Sequence, residues 1–279
     1  MVRIEGECIL VETSTLTATL RHGHLTSLRD RRSGREHLAA FDPAPLSALE
    51  LIYASGPGAG FGPAKPVTVS VLPISACCAE FRFHGWDADG VLRVSECPRS
   101  GALLLEPSAY SSRPGVRACR WNLSGIPAEV KLIAPLYQGI GLPLDDELIR
   151  NSRWPWPMHW EAGFVVLQGK DAGFWVHTQD TAYRYKALQI GRADGAHCLG
   201  FDTEAYGPHD ASLGSGGLVW RVNTYSGDWR VPAAEYRDWL WRAYDLEPRE
   251  AQRKPWLKEL SLAVSWANGD PEMLDALAE

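Results

Sequence analysis

The densest group of side chains able to do chemistry lies in NSRWPWPMHWEAGF, where Trp154, Trp156 and Trp160 stand beside His159 and Glu161. Indole rings suit the apolar C–H faces of sugars, and large β proteins also bury them simply to pack. Pro155 and Pro157 forbid helix and favour a stiff, extended loop. In such a chain His159 and Glu161, two residues apart, share a face and can form a hydrogen-bonded pair. Two readings of the tryptophans stay open: a platform for a sugar, or aromatic anchors filling an interface between domains. A second group, LGFDTEAYGPHD, sets Asp202 and Glu204 on one side of an extended segment, with His209 and Asp210 past a Gly-Pro turn. Carboxylates so spaced can serve acid–base chemistry or hold Ca²⁺, and on surface strands they also serve solubility alone.

Weaker signals lie elsewhere. LPLDDELIR offers Asp145, Asp146 and Glu147, acids suited to a helix or turn start, and WVHTQD offers His177 and Asp180. The Gly-rich stretch 55–63, SGPGAGFGP, has the look of GxGxxG, but its prolines and the lack of a following helix argue against a phosphate cradle. Six cysteines (Cys8, Cys77, Cys78, Cys97, Cys119 and Cys198) show no metal-binding spacing, and adjacent Cys77 and Cys78 make a poor disulfide. The expectation is reduced thiols, no metal and no cofactor. Asn122-Leu123-Ser124 fits a glycosylation sequon, read as chance in a chain without a signal peptide.

The elements that must carry these residues are mostly strands. From Glu7 to about Trp229, short β runs alternate with Gly, Pro and polar turns. Leu16, Ala18 and Leu20 alternate, the chain turns at His22-Gly23-His24, and Leu25 and Leu28 resume the pattern, as in a sheet with one buried side. Adjacent runs are close enough for hairpins, so the sheets are expected to be antiparallel and packed as a large two-sheet sandwich. The first regular helix comes late. In VPAAEYRDWLWRAYDLEP, Tyr236, Trp239, Leu240, Ala243 and Tyr244 form one apolar stripe, with Pro232 in the first turn and Pro248 ending the run. Then LSLAVSW (260–266) reads as a strand covered on both faces, and Asp270-Pro271-Glu272 as a capped helix start. Strand, loop and helix make the first unit of a β/α barrel, a fold of about 250 residues.

Composition limits the partners. The chain has 279 residues, 45% hydrophobic and 22% charged, which suits a soluble globular protein of one large domain or two ordinary ones. A net charge of −6 with scattered bases disfavours nucleic acid. Nothing is long or apolar enough for a membrane span, and MVRIEGECIL lacks a signal-peptide core, so a cytoplasmic location is expected. Twelve tryptophans, crowded into the second half, stand out.

The two ends carry a resemblance. LTATLRHGHLTSLRDRRSGREHL resembles the opening of the galactose-mutarotase-like β-supersandwich that precedes many glycoside hydrolase barrels. SGDWRVPAAEYRDWLWRAY looks like the helix linking that sandwich to a barrel in relatives of α-galactosidases and endo-α-N-acetylgalactosaminidases. WPWPMHWEAGFVVLQ and GFWVHTQDTAYRYKALQIG are similar to stretches before the barrel in a bacterial glycosidase-like family. The resemblance implies a supersandwich over 1–229, a linker helix and connector over 230–255, and the first βα unit of a truncated barrel over 256–279. It implies an oligosaccharide or glycoside as partner, with the missing barrel as an intramolecular one. Glycoside hydrolysis needs two carboxylates across the scissile bond. In the barrel-bearing relatives these sit at barrel strand ends, so no catalytic residue is expected here. The expected function is a non-catalytic sandwich that braces a barrel and lines its cleft, using Trp154, Trp156, His159, Trp160, Glu161, Asp202 and Glu204. The alternatives are a stand-alone aldose mutarotase pairing Glu204 or Glu161 with His177 or His159, and a structural or sugar-binding module without chemistry.

Overall fold

Local alternation builds the first sheet. Strands β1 (Val2–Glu5), β2 (Cys8–Glu12), β3 (Leu16–Arg21) and β4 (His24–Asp30) pair in that order as an antiparallel meander. Leu16, Ala18 and Leu20 are buried while Thr17 and Thr19 between them are half-exposed. The β3–β4 turn has positive φ at both His22 (51°) and Gly23 (85°), the primed geometry that matches strand twist. A Cβ on Gly23 would also fall 2.7 Å from the Phe83 ring. In the computed structural model the described residues are 1–43, 46–54, 65–66, 68–137, 139–144, 146, 149, 151–193, 196–246 and 254–259. They fall into two compact units, Met1–Leu240 and Trp241–Glu279.

The remaining strands are β5 (Leu49–Tyr53), β6 (Thr68–Ser75), β7 (Cys78–His84), β8 (Ala88–Glu96), β9 (Leu103–Ser111), β10 (Val116–Ile126), β11 (Lys131–Ala134) and β12 (Ile140–Pro143), followed by β13 (Ser152–Pro155), β14 (Phe164–Gln168), β15 (Ala172–His177), β16 (Lys186–Ala193), β17 (Ala196–Glu204), β18 (Gly214–Ser215) and β19 (Trp220–Ser226). Ten of the strands form one sheet in the order β12-β11-β14-β15-β19-β9-β8-β7-β6, with β18 also paired to β9. Five form a second sheet in the order β13-β16-β17-β10-β5. The described strands therefore make three sheets where two were expected, because the meander keeps its own hydrogen-bonded ladder. Hairpin turns are local signals. Which hairpins share a sheet is decided by distant pairings such as β5 with β10, which alternation does not encode.

All three sheets turn apolar faces into one core. Its spine is a run of rings between layers. Trp160 stacks on Trp220 of β19 at 6.2 Å and 10°. Trp220 then meets Phe201 of β17 at 5.0 Å, and Phe201 stacks on Trp121 of β10 at 5.4 Å. All four are fully buried.

Helix α1 (Arg230–Ala243) begins two residues before Pro232, because the Asp228 carboxylate accepts the Arg230 N–H at 2.8 Å and caps the first turn. Of its expected stripe, Tyr236 is buried and Trp239 half-buried. Tyr236 packs on Phe164 (4.8 Å) and Trp239 (5.1 Å), and its hydroxyl accepts the Gly163 N–H at 3.2 Å. The helix thus covers the outer face of the ten-stranded sheet beside Val166, Trp175 and Tyr225. In the smaller unit, α2 (Pro255–Glu259) exposes Trp256. The strand and helix expected over 260–279 lie outside the described residues. Among the described residues, no helix is long and apolar enough to cross a membrane.

Burial of histidines sets an acid limit. His24 at the start of β4 is 1% exposed beside Phe41 (6.0 Å). Burial pushes its pKa down to about 4, a contact with the Leu46 backbone offsetting part of the effect and His22 adding to it. Below pH 6.5 the unfolded chain takes up a proton that folded His24 refuses until about pH 4. Stability is complete above that window and falls as pH drops through it, by about 3 kcal/mol for this residue. His37 and His177, also held low chiefly by burial, act in the same direction. Urea midpoints at pH 7 and pH 4.5 check this, and His24→Gln should flatten the difference.

Candidate functional site

The face of the five-stranded sheet that looks away from the core carries a row of charged and amide side chains. Along β10, Cys119, Trp121 and Leu123 enter the core, so Arg120 and Asn122 must point outward. Register puts Glu50 of β5 on one side of Arg120 and Asp202 of β17 on the other. Asp202 is 0% exposed. Its Oδ1 accepts Arg120 Nε at 2.6 Å and its Oδ2 accepts Arg120 Nη2 at 3.1 Å, a forked pair. Arg153, on the edge strand β13, reaches across β16 to donate Nε to Asp202 Oδ2 at 2.9 Å, and its Nη2 donates to Glu204. Small Ala187 stands between Pro155 and Asp202 in the ladder, which leaves room for that reach. Arg117 adds a contact to Glu204 at 3.8 Å, and Lys65 pairs with Glu50 at 3.3 Å.

Gly200 makes this packing possible. It faces Asn122 across the ladder, and a Cβ there would lie 2.7 Å from Arg120 Cδ and 3.0 Å from Nε. Arg120 lies flat over the bare backbone, and its Nη1 stands 3.8 Å from Glu50 Oε2, too long for a hydrogen bond. Beside it opens a cavity of about 320 Å³, lined by Ser47, Lys65, Asn122, Asn151 and Gln189 among others. Asn122 Nδ2 donates to the Ser47 carbonyl at 2.9 Å, which aims its amide. The Cys198 thiol at the wall is pushed up to about 11, mainly by burial, and so brings no charge at neutral pH.

The expected residues separate into three places. Asp202 and Glu204 do share a face, as read from the sequence, but arginines occupy their oxygens. Trp154, Trp156 and His159 lie at the β13 edge, where the chain makes a turn with a cis Trp156–Pro157 bond rather than the extended loop expected. Trp154 meets Tyr137 at 5.8 Å, and the Tyr137 and His159 rings lie 5.3 Å apart. One face of Trp156 is covered by the Lys186 ammonium, 3.7 Å from the ring centre. Buried Lys186 is paired with Asp180 at 3.1 Å, and burial holds its pKa below the usual lysine value. Trp160 sits in the core spine with its indole N–H donating to the Phe164 carbonyl at 3.0 Å, which leaves no ring face for a ligand. Glu161 is exposed, and its backbone N–H donates to Pro135.

His177 lies on the opposite outer face of the sandwich from Glu204. It is 2% exposed, stacked on Trp175 at 3.7 Å and 6.2 Å from Tyr236 under α1. Burial holds its pKa well below the ordinary histidine value. Among the described residues no group of three or more His, Cys, Asp or Glu side chains could hold a metal ion. The Gly-rich stretch 55–63 lies wholly outside the described residues, as do Asp145 and Glu147. What sequence reading missed is the Arg120–Gly200–Glu50 surface. Its signal was the alternation of Arg120 and Asn122 against Cys119 and Trp121.

No family model matches the chain, and no curated protein matches it. Solved structures do. The galactosidase domain of an α-galactosidase-sucrose kinase, AgaSK, superposes with a TM-score of 0.52 at 7% identity, over 81% of this chain and 42% of that one. An α-N-acetylgalactosaminidase of Bifidobacterium bifidum, NagBb, superposes with a TM-score of 0.50 at 13% identity, over 86% and 38%. The chain shares the fold of part of each. A galactose mutarotase-like protein of Lactobacillus casei is also similar, with a TM-score of 0.45 at 12% identity, over 78% of this chain and all of that one. The chain spans about two fifths of the length of the glycosidases it matches.

Proposed function

We propose that this chain is the non-catalytic β-sandwich of a carbohydrate-active, glycoside-hydrolase-like protein, and that it holds a saccharide on the outer face of its five-stranded sheet. The observation that carries this reading is the state of the acids on that face. Glu50, Asp202 and Glu204 are each engaged by lysine or arginine, so the closest carboxylates are held as counterions rather than as a proton-transferring pair. Beside them the cavity offers amides and hydroxyls, the groups that recognise sugar hydroxyls, at a size within the range of small-ligand pockets, which begins near 300 Å³. The names of the two glycosidases that share the fold support a carbohydrate partner. The ring cluster of Tyr137, Trp154 and His159, gathered at the edge strand β13 that starts beside Asn151, is the second surface where a sugar would stack. Trp156, with one face free of Lys186, and Glu161 belong to the same edge.

The test is a titration with galactose, N-acetylgalactosamine and short oligosaccharides followed by NMR, with anomer exchange recorded in the same tubes. Binding without faster anomer exchange is expected. Accelerated exchange overturns the non-catalytic reading in favour of a mutarotase, and no binding overturns the saccharide.

The bracing role belongs to the proposal as well, with 230–255 as linker and 256–279 as the first strand and helix of a barrel domain. Chains ending at Lys254 and at Glu279 should then unfold at the same urea concentration, and the shorter one should be more soluble, since it lacks the apolar run 260–266. A large loss of stability on truncation would place the tail in the sandwich instead.

A further inference from the structure

We propose that the cavity above Gly200 is built for the carboxylate of an acidic sugar, a hexuronate, with Arg120 and Lys65 as its charge-recognising groups. This rests on the saccharide reading above and names its ligand class.

Four observations lead there. First, no aromatic ring stands among the described residues that line the pocket. A neutral sugar in it gains no stacking, so tight binding has to come from hydrogen bonds, of which the charge-assisted ones are the stronger. Second, Arg120 is prearranged. Asp202 takes Nε and Nη2, Gly200 removes the side chain that would lift the guanidinium off the sheet, and Nη1 stands beyond hydrogen-bond reach of Glu50. A guanidinium fixed at one edge with donors left at another loses little freedom when it meets a carboxylate. Third, the charges on this face do not cancel. Of the described residues that line the cavity, Lys65, Arg120 and Arg192 are cations and Glu50 is the one anion, in a chain whose formal net charge is −6. A locally positive concavity on an acidic protein favours an anionic group. Fourth, Asn122, Asn151, Gln189 and Ser47 surround the same space. Those neutral donors and acceptors match ring hydroxyls, so the surface suits an anion carried on a polyol better than a bare anion.

Calorimetric titration of the full chain with galacturonate, galactose, acetate and inorganic phosphate tests this. Galacturonate should bind at least tenfold more tightly than galactose, acetate or phosphate, and its affinity should fall several-fold between 20 and 300 mM NaCl by screening of the exposed charge. Lys65→Gln should weaken galacturonate several-fold and galactose far less, so that the preference for the acid shrinks. Lys65 is more than half exposed, so this variant stays folded even where Arg120→Met, which should abolish the preference for the acid, does not. Equal affinity for galacturonate and galactose, or galacturonate binding indifferent to Lys65→Gln, overturns the acidic-sugar inference and leaves the saccharide reading standing. Acetate or phosphate binding as tightly as galacturonate overturns the sugar part of it. Binding of neither sugar overturns the saccharide reading itself.

Discussion

Asp202→Ala is expected to cost roughly 3–5 kcal/mol of folding stability, the range for breaking a buried ion pair by removing one partner. Asp202 is fully buried and accepts three hydrogen bonds, two from Arg120 and one from Arg153. Those bonds join β10, β17 and the edge strand β13 across the face. Without the carboxylate, two guanidinium groups are left crowded together, Arg120 only 11% and Arg153 only 21% exposed. Glu204 and Glu50 take up part of that charge, which is why the lower end of the range is the better estimate. Equilibrium urea unfolding measures the loss. The double variant Asp202→Leu/Arg120→Met should recover much of it, because of the two guanidinium groups only Arg153 then remains, and it keeps Glu204 as a partner. If Asp202→Ala costs less than 1 kcal/mol, the arginines reach solvent freely and the fixed Arg120 on which the cavity depends does not exist.

Trp160→Ala is expected to cost about 3–5 kcal/mol, the usual range for emptying a buried aromatic site. The residue ends the run Trp160, Trp220, Phe201, Trp121 that links the ten-stranded and five-stranded sheets. Its removal takes a stacked neighbour from Trp220 and opens a void between layers that close-packed interiors fill poorly. Trp154→Ala, at a half-exposed edge position, should cost about 1–2 kcal/mol, within the ordinary range for single substitutions. Near-UV circular dichroism and urea midpoints distinguish the two, since only loss of Trp160 should remove the signal of the stacked pair. Equal effects would mean that the two indoles are equally buried in solution, and the division of the WPWPMHW stretch into core and edge would fail.

That division shows how far local pattern carries. Trp154, Trp156 and Trp160 are indistinguishable by residue type, and the prolines between them announce only an interruption. Trp160 enters the core because the chain bends there and meets Trp220, sixty residues on in β19, and no nearby residue encodes that meeting. Of the pairings offered for acid–base chemistry, that of Glu204 with His177 is not formed, for a similar reason. His177 and Glu204 lie on strands of different sheets, and each points outward on its own side of the sandwich.

Period-two alternation, hairpin turns and a late amphipathic helix were legible in the sequence by itself, because each depends on residues a few positions apart and on backbone geometry that any such run adopts. Leu16, Ala18 and Leu20 had to share a face, His22-Gly23 had to turn, and Asp202 and Glu204 had to lie side by side. The tertiary structure alone decided that the strands divide into three sheets, that arginines from β10 and β13 occupy those two carboxylates, and that Gly200 leaves Arg120 flat beside an open cavity. Arg120 and Asp202 are 82 residues apart in the chain. Contacts of that range are selected by the packing of whole sheets against a common core, which the spacing of neighbouring residues does not record.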